Sequence, residues 1–473
     1  MSARVFGAVD IGASGGRVIA GVVDDGRVEL VPVHRFPNGV VEHEGHLRWD
    51  LGRLVDEVEA GLRSLGRRFP AVESIGIDTW AVDYARLGDD GAPVDDPIAY
   101  RDDRTAEAVE AVHAAVPPAG LFARNGLQHL PFTTLYQLAA DRAAGRTAGS
   151  VVLLPDVLAH RLTGALATEV TNASTTGLLA VERTDGARHR PYARPSWDPE
   201  LLALAGVTAA QLPPLEEPGT VRGPVRPDLG LPAGCVVTTV GSHDTASAVV
   251  AVPATTGRSA YVISGTWSLV GVETAAPVLT EAARLAGFSN EAGVDGRTRL
   301  LRNVGGLWLL QECLREWGDV ALDAVLDDAA AVAPGGPTID VDDPGLIPPG
   351  RMPARIAAAG GPAAGDRAAL VRCILDSLAA AHARTIDAAA TLTGRPVDVV
   401  HVVGGGSQNA LLCQLTADAC HRPVVAGPVE ATALGNVLVQ ARAHGALSGT
   451  LEDLRAVVAA STPLRTFHPR ETP

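Results

Sequence analysis

Two aspartates stand where a carboxylate could do chemistry. Asp10 ends the apolar run VFGAVD and leads into the Gly-rich turn Gly12 to Gly16 of IGASGGRV. Asp244 follows His243 in GSHDTASA, between the apolar runs CVVTTV and VVAVPA. A carboxylate at a strand end beside a tight turn can hold hydrated Mg2+ while the turn amides face phosphate oxygens. The alternative for that stretch is a hairpin whose glycines only supply positive φ. A carboxylate among small residues can serve as a base toward a hydroxyl brought to it. The alternative for Asp244 is a cap on a helix running from Thr245.

Three further stretches carry residues of the same kind. In DTWAVD, Trp80 and Asp83 set an aromatic face beside a carboxylate, with Asp78 close by. That pairing suits a sugar, whose hydroxyls meet the acid and whose C–H faces meet the ring. The alternative is a core tryptophan with a turn carboxylate. Gly265-Thr266-Trp267 forms a second Gly turn between apolar runs, and Gly404-Gly405-Gly406 lies between HVV and a helix-like segment. A helix N-terminus favours phosphate, and bare glycines let a flat base lie on the backbone. Each could instead be an ordinary turn.

The composition narrows the chemistry. No lysine occurs in the 473 residues, and every basic residue other than histidine is arginine. A P-loop and a protein kinase both need a phosphate lysine, and a Schiff-base enzyme needs a lysine amine. Phosphate handling here falls to backbone N–H groups, metal and arginine. The five cysteines, Cys235, Cys313, Cys373, Cys413 and Cys420, show no C-x-x-C and no zinc spacing, so they read as small buried hydrophobes. The net charge of -15 and the lack of a basic, aromatic-laced patch argue against nucleic acid. No apolar run is long enough for a bilayer and the first ten residues enter a strand at once, so no membrane and a cytoplasmic location are expected.

The elements that must position these residues alternate between strand and helix, with 47% hydrophobic residues to fill large cores. The first Gly turn is followed by the β-branched run Val18 to Val23, then by the hairpin signal Asp25-Gly26 and the strand VELVPV. A dinucleotide fold or P-loop would place a helix there, so an antiparallel meander is expected. LGRLVDEVEAGLRSLGRRF has helical periodicity, TEVTNASTTGLL reads as a polar loop, and RNVGGLWLLQECLREW reads as an amphipathic helix. SAYVISGTWSLVGVE repeats the strand, Gly turn, strand order of the N-terminus, which suggests a repeated unit with a boundary near 240. The expected domains are 1–240, with Asp10, the first Gly turn and DTWAVD, and 241–473, with Asp244, the GTW turn and the Gly triplet.

VDIGASGGRV, GIDTWAVDY, AYRDDRT, LPDVLAHRLTG, EVTNAST, SHDTASAV, YVISGTWSLVG, NVGGLWLLQE and HVVGGGSQNALL occur in that order. On these motifs the chain resembles the FGGY carbohydrate kinases, from about Val5 to Gln440. The resemblance implies an α/β, two-domain actin-like ATPase (ribonuclease H-like) fold with the active site in the interdomain cleft. It implies transfer of the ATP γ-phosphoryl, with Mg2+, to the 1-hydroxyl of a ketose. L-rhamnulose is expected first, with L-fuculose, L-ribulose or D-xylulose as alternatives and a sugar-sensing or chaperone-like ATPase as a remote one. By motif, Asp244 matches the catalytic base, and His243 and Thr245 match substrate contacts beside it. Ala13, Ser14, Gly15, Gly16 and Arg17 match the phosphate loop. Thr266, Asn303, Gln311 and Gly405 match nucleotide contacts, and Asp10 matches the acid that orients hydrated metal. Ala81 stands where many relatives carry a sugar-facing Gly, so it joins Trp80 and Asp83 as an expected substrate contact. The expected partners are the ketose and ATP, in a monomer or homodimer.

Overall fold

A computed structural model describes residues 3–181 and 195–470. The chain forms two compact units, and they are not its two halves. The first comprises Met1–Ala251, Thr274–Leu300 and Ala431–Ser461. The second comprises Val252–Glu273, Leu301–Glu430 and Thr462–Pro473. The boundary expected near 240 is therefore shifted, and Asp244 belongs to the first unit rather than the second. The reason is local: Thr79 donates its N–H to Ser242 O at 2.9 Å, which ties the Gly241–Asp244 segment to the first sheet.

That sheet is built on β1 (Arg4–Gly12), β2 (Gly15–Asp24), β3 (Arg27–Pro37), β4 (Val72–Thr79), β5 (Val221–Pro224) and β6 (Val236–Thr238). Its order is β5-β6-β4-β1-β2-β3. β1 is apolar on both faces because it is central, with β2 antiparallel on one side and β4 parallel on the other. The meander forms as its turn residues dictate: Asp25 and Gly26 both take positive φ, as the two-residue hairpin requires. Helix α1 (Leu51–Arg68) covers one face. Asp50 caps it by accepting from Arg53 N, and Leu54, Val58, Leu62 and Leu65 form its buried stripe. These residues pack with Val9, Ile11, Val18 and Ile75 into the main core.

The second sheet repeats the plan. Its strands are β7 (Ser259–Ser264), β8 (Trp267–Thr274), β9 (Thr298–Gly305), β10 (Val399–Val403), β11 (Val424–Ala426) and β12 (Arg465–Phe467). A seventh strand, Ser289–Ala292, lies at the edge beside β9, and the order from it is β9-β8-β7-β10-β11-β12, again a hairpin partner on one side of the first strand and a parallel partner on the other. Two expectations differ in detail. RNVG is not helical but the end of β9, Gly306 follows it, and the helix begins only at Trp308. TEVTNAST is not a surface loop: Thr168–Glu169 is strand and Val170–Ala173 is a buried helical turn. A helix at Ala431–Ala443 returns to the first unit because Asn436 and Gln440 hydrogen-bond into β1 and β4.

Candidate active site

Three carboxylates converge at neighbouring strand ends of the first unit. β1 and β4 run parallel with Asp10 opposite Asp78, and Thr79 bridges to His243, one residue before Asp244. Asp78 is fully buried. Burial above all, and then the charges of Asp10 and Asp244, push its carboxyl well above the ordinary value, while the Asn436 hydrogen bond acts the other way. Asn436 Nδ2 donates to Asp78 Oδ2 at 2.6 Å, and Asn436 Oδ1 accepts from Gln440 Nε2 at 2.6 Å. Gln440 in turn donates to Gly7 O and accepts from Ser74 Oγ. Among the described residues, Asp78 Oδ1 has no hydrogen-bond partner.

Asp244 opens helix α2 (Asp244–Val250), with His243 at the N-cap position. Its two oxygens are not equivalent. Oδ1 accepts from Thr245 N at 2.6 Å and Thr245 Oγ1 at 3.1 Å, and His243 Nε2 lies 3.4 Å from it. Oδ2 has no hydrogen bond among the described residues. The carboxylate is about a third exposed.

Two buried groups hold this segment from behind. Glu169 accepts from Ser242 N at 2.9 Å and Ser242 Oγ at 2.7 Å, and also from Thr171 and Asn172. Burial pushes its carboxyl up to about 7 against those hydrogen bonds. Arg299 is wholly buried, with Nη2 3.1 Å from His243 Nδ1 and 2.9 Å from Glu291 Oε2. Burial raises the Glu291 carboxyl, but the Arg299 charge and His243 more than offset this and leave it below its ordinary value.

The DTWAVD stretch is arranged differently from the expectation. Asp83 is buried, and Oδ2 accepts from Trp49 Nε1 at 2.6 Å, Trp80 Nε1 at 2.9 Å and Tyr100 N at 3.2 Å. Oδ1 accepts from Gln137 Nε2 at 3.1 Å. Asp83 therefore organises an aromatic wall instead of offering its acid to a sugar hydroxyl. Trp49 and Trp80 meet tilted at 45° with centroids 4.3 Å apart, and Tyr100 meets Phe132 at 5.5 Å. Burial raises the Tyr100 hydroxyl pKa, as do the nearby charges of Asp83 and Asp244, while Arg101 opposes them. Arg101 Nε donates to that hydroxyl at 3.1 Å. Ala81 is half-buried beside Trp80, and Val82 follows it at φ 69°. A β-branched residue in that region is strained, and Thr134 and Gln137 hold it by bonding Val82 O.

At the tip of the first hairpin, Gly12 pairs with Gly15 and Ala13-Ser14 make the turn. Gly16 lies against the Phe36 ring, where a Cβ would come within 2.2 Å. Arg17, expected at phosphate, donates to Asp10 Oδ2 from Nε at 3.0 Å and Nη2 at 2.8 Å. The expected phosphate and metal groups thus begin as an ion pair.

The second unit assembles the remaining residues. Trp308 N donates to Thr266 O and Leu307 N to Gly265 O, which seats the GTW turn on the start of helix α3 (Trp308–Trp317). Gln311 on that helix comes within 3.5 Å of Thr266 Oγ1. Asn303 lies on β9, half-buried. The Gly triplet abuts the end of β7: a Cβ at Gly406 would fall 2.0 Å from Ser264 Oγ. Gly405 is exposed with open space before it. A separate cleft of about 440 Å³, lined by residues including Arg302, Asp340, Asp342 and Arg384, contains none of these predicted contacts.

Trp49, Tyr100, Arg101, Glu169, Glu291 and Arg299 were not singled out by the sequence. AYRDDRT and EVTNAST carried the only local signal, since both motifs contain some of them.

Residues 5–251 match the N-terminal domain of the FGGY family of carbohydrate kinases, and residues 260–444 match its C-terminal domain. The chain belongs to this family and is a sugar kinase, which transfers a phosphoryl group from ATP to a hydroxyl. Among curated relatives it is 39% identical to a rhamnulokinase of Bacteroides thetaiotaomicron, covering 98% of this chain and 96% of that one. It is 40% identical to a rhamnulokinase of Klebsiella pneumoniae, covering 99% and 95%. Among solved structures, a xylulose kinase of Lactobacillus acidophilus matches with a TM-score of 0.78 at 16% identity, covering 99% of this chain and 94% of that one. A glycerol kinase of Plasmodium falciparum solved with ADP matches at 0.74 and 15%, also covering 99% and 94%. These establish the fold as the two-domain actin-like one. Among the described residues no helix is long and apolar enough to cross a membrane.

Proposed function

We propose that the chain phosphorylates the 1-hydroxyl of L-rhamnulose, giving L-rhamnulose 1-phosphate and ADP, with Asp244 as the base. The observation that carries the role of Asp244 is the inequality of its oxygens. Oδ1 is held by Thr245 and faces His243, which leaves Oδ2 to accept a proton. The near-full-length likeness to rhamnulokinases supports the choice of sugar.

Phosphoryl transfer depends on placement and on neutralising charge, more than on strong base chemistry. Asp244 Oδ2 orients the attacking hydroxyl and takes its proton as the bond to phosphorus forms. His243 and Thr245 hold the sugar beside it, and Trp80 and Ala81 bound its other face. On the second unit, Thr266, Gln311, Asn303 and Gly405 take the nucleotide, with the open backbone at Gly405 facing its flat base. The amides of Ala13 to Gly16 and the Arg17 guanidinium take phosphate oxygens.

Asp10 and the unpartnered Asp78 Oδ1 are hard oxygen donors that fit a hydrated Mg2+. Such an ion supplies charge neutralisation on the phosphoryl oxygens.

The test is a panel of ketoses with coupled ADP detection and product identification. L-rhamnulose should give the highest kcat/KM and a 1-phosphate product. A higher kcat/KM for L-fuculose, L-ribulose or D-xylulose overturns the choice of sugar. Ala81→Gly should lower discrimination among the ketoses by about 5- to 10-fold, since one methyl in a pocket is worth about 1 kcal/mol.

A further inference from the structure

His243 is buried and both its nitrogens face charged groups. Nδ1 lies 3.1 Å from Arg299 Nη2 and 3.3 Å from Glu291 Oε2, and Nε2 lies 3.4 Å from Asp244 Oδ1. These neighbours constrain the ring unequally. A guanidinium has only donors, so a nitrogen hydrogen-bonded to Nη2 must accept. The Arg299 contact has hydrogen-bond geometry. The Glu291 contact is longer and lies off the hydrogen-bond direction, which leaves Glu291 Oε2 as the competing acceptor for Nδ1. A neutral ring that accepts at Nδ1 carries its proton on Nε2.

We propose that Arg299 is a positioning residue that fixes His243 as the Nε2–H tautomer, so that the ring donates a hydrogen bond to a sugar oxygen beside Asp244. This rests on the reading that the Ser242–Thr245 segment holds the acceptor sugar. The two side chains then divide the work: His243 donates to an oxygen that does not react, and Asp244 Oδ2 accepts from the hydroxyl that does. Arg299 is itself anchored, since Nε donates to Ala292 O at 2.9 Å and Glu291 balances its charge. No sugar contact by Arg299 is implied, because it is wholly buried.

The experiment is long-range proton–nitrogen NMR on the full chain with 15N-labelled histidine, the His243 signals being assigned by their loss in His243→Gln. The expected spectrum has a bare Nδ1 and a protonated Nε2. The opposite tautomer, or a doubly protonated ring, overturns the proposal without touching the assignment of Asp244. In Arg299→Met the acceptor Glu291 remains, so the proton should move to Nδ1; a folded variant that keeps the Nε2–H form overturns the role of Arg299. Should that variant fail to fold, kinetics on His243 decide. A glutamine amide reaches the Nε2 position and an asparagine amide only the Nδ1 position. His243→Gln should hold the ketose KM within about threefold, and His243→Asn should raise it about 10-fold or more, a loss of about 1.4 kcal/mol, with the ATP KM unchanged in both. Better rescue by asparagine overturns the proposal.

Discussion

Glu169 accepts both the backbone N–H and the hydroxyl of Ser242, a residue 73 positions further on. The contact fixes the segment that carries His243 and Asp244. It also stores a pH dependence. Burial lifts the Glu169 carboxyl from an ordinary 4.5 to about 7 in the folded chain. The folded state therefore binds the extra proton between these values, and stability falls as pH rises from about 4.5 to about 7. A shift of that size corresponds to about 3 kcal/mol. Glu169→Gln should remove this part of the slope of unfolding free energy against pH, measured in urea from pH 5 to 8. Asp156, also raised by burial, to about 6, is present in both proteins and cancels in the difference. Equal slopes in the two proteins would refute the assignment.

Asp83 satisfies two indole N–H groups, the Tyr100 amide and the Gln137 amide at once. Asp83→Ala leaves these buried donors without an acceptor and should cost about 1–3 kcal/mol for each. Asp83→Asn keeps one oxygen and should cost about 1–3 kcal/mol. Urea unfolding followed by tryptophan fluorescence measures both. If Asp83→Ala lost less than Asp83→Asn, the carboxylate would not be the organiser of the aromatic wall.

Gly405 and Gly406 separate a ligand role from a packing role. A methyl at Gly406 would collide with Ser264, so Gly406→Ala should lower stability by about 1–3 kcal/mol. A methyl at Gly405 meets nothing in the protein. Gly405→Ala should leave the melting temperature unchanged and raise the ATP KM about 10-fold, which is about 1.4 kcal/mol. An unchanged ATP KM in Gly405→Ala would remove this glycine from the nucleotide site.

The sequence disclosed what depends on neighbours in the chain. The Gly12–Gly15 turn, the Asp25-Gly26 hairpin and the stripe of α1 follow from local residue types, and all three formed. His243 and Asp244 stood out because two polar residues interrupt apolar runs. Glu169 did not, because its burial comes from Ser242 on a distant segment. Asp83 was read as a sugar ligand because Trp80 is adjacent, yet it is saturated by Trp49, Tyr100 and Gln137, which sequence cannot bring together. Arg299 lies outside every motif, and only its contact with His243 gives it meaning. The unit boundary was misplaced for the same reason: Ala431–Ser461 rejoins the first unit through Asn436 and Gln440.

The central claim is that Asp244 Oδ2 takes the proton of the attacking hydroxyl. Asp244→Asn keeps the size and most of the hydrogen bonding of the side chain while removing the basic oxygen. The most direct measurement is kcat for L-rhamnulose in this variant beside its ATP dissociation constant. A fall in kcat of at least about 100-fold is expected, the low end for loss of a general base, with ATP binding intact. A kcat close to that of the unaltered protein would contradict the account.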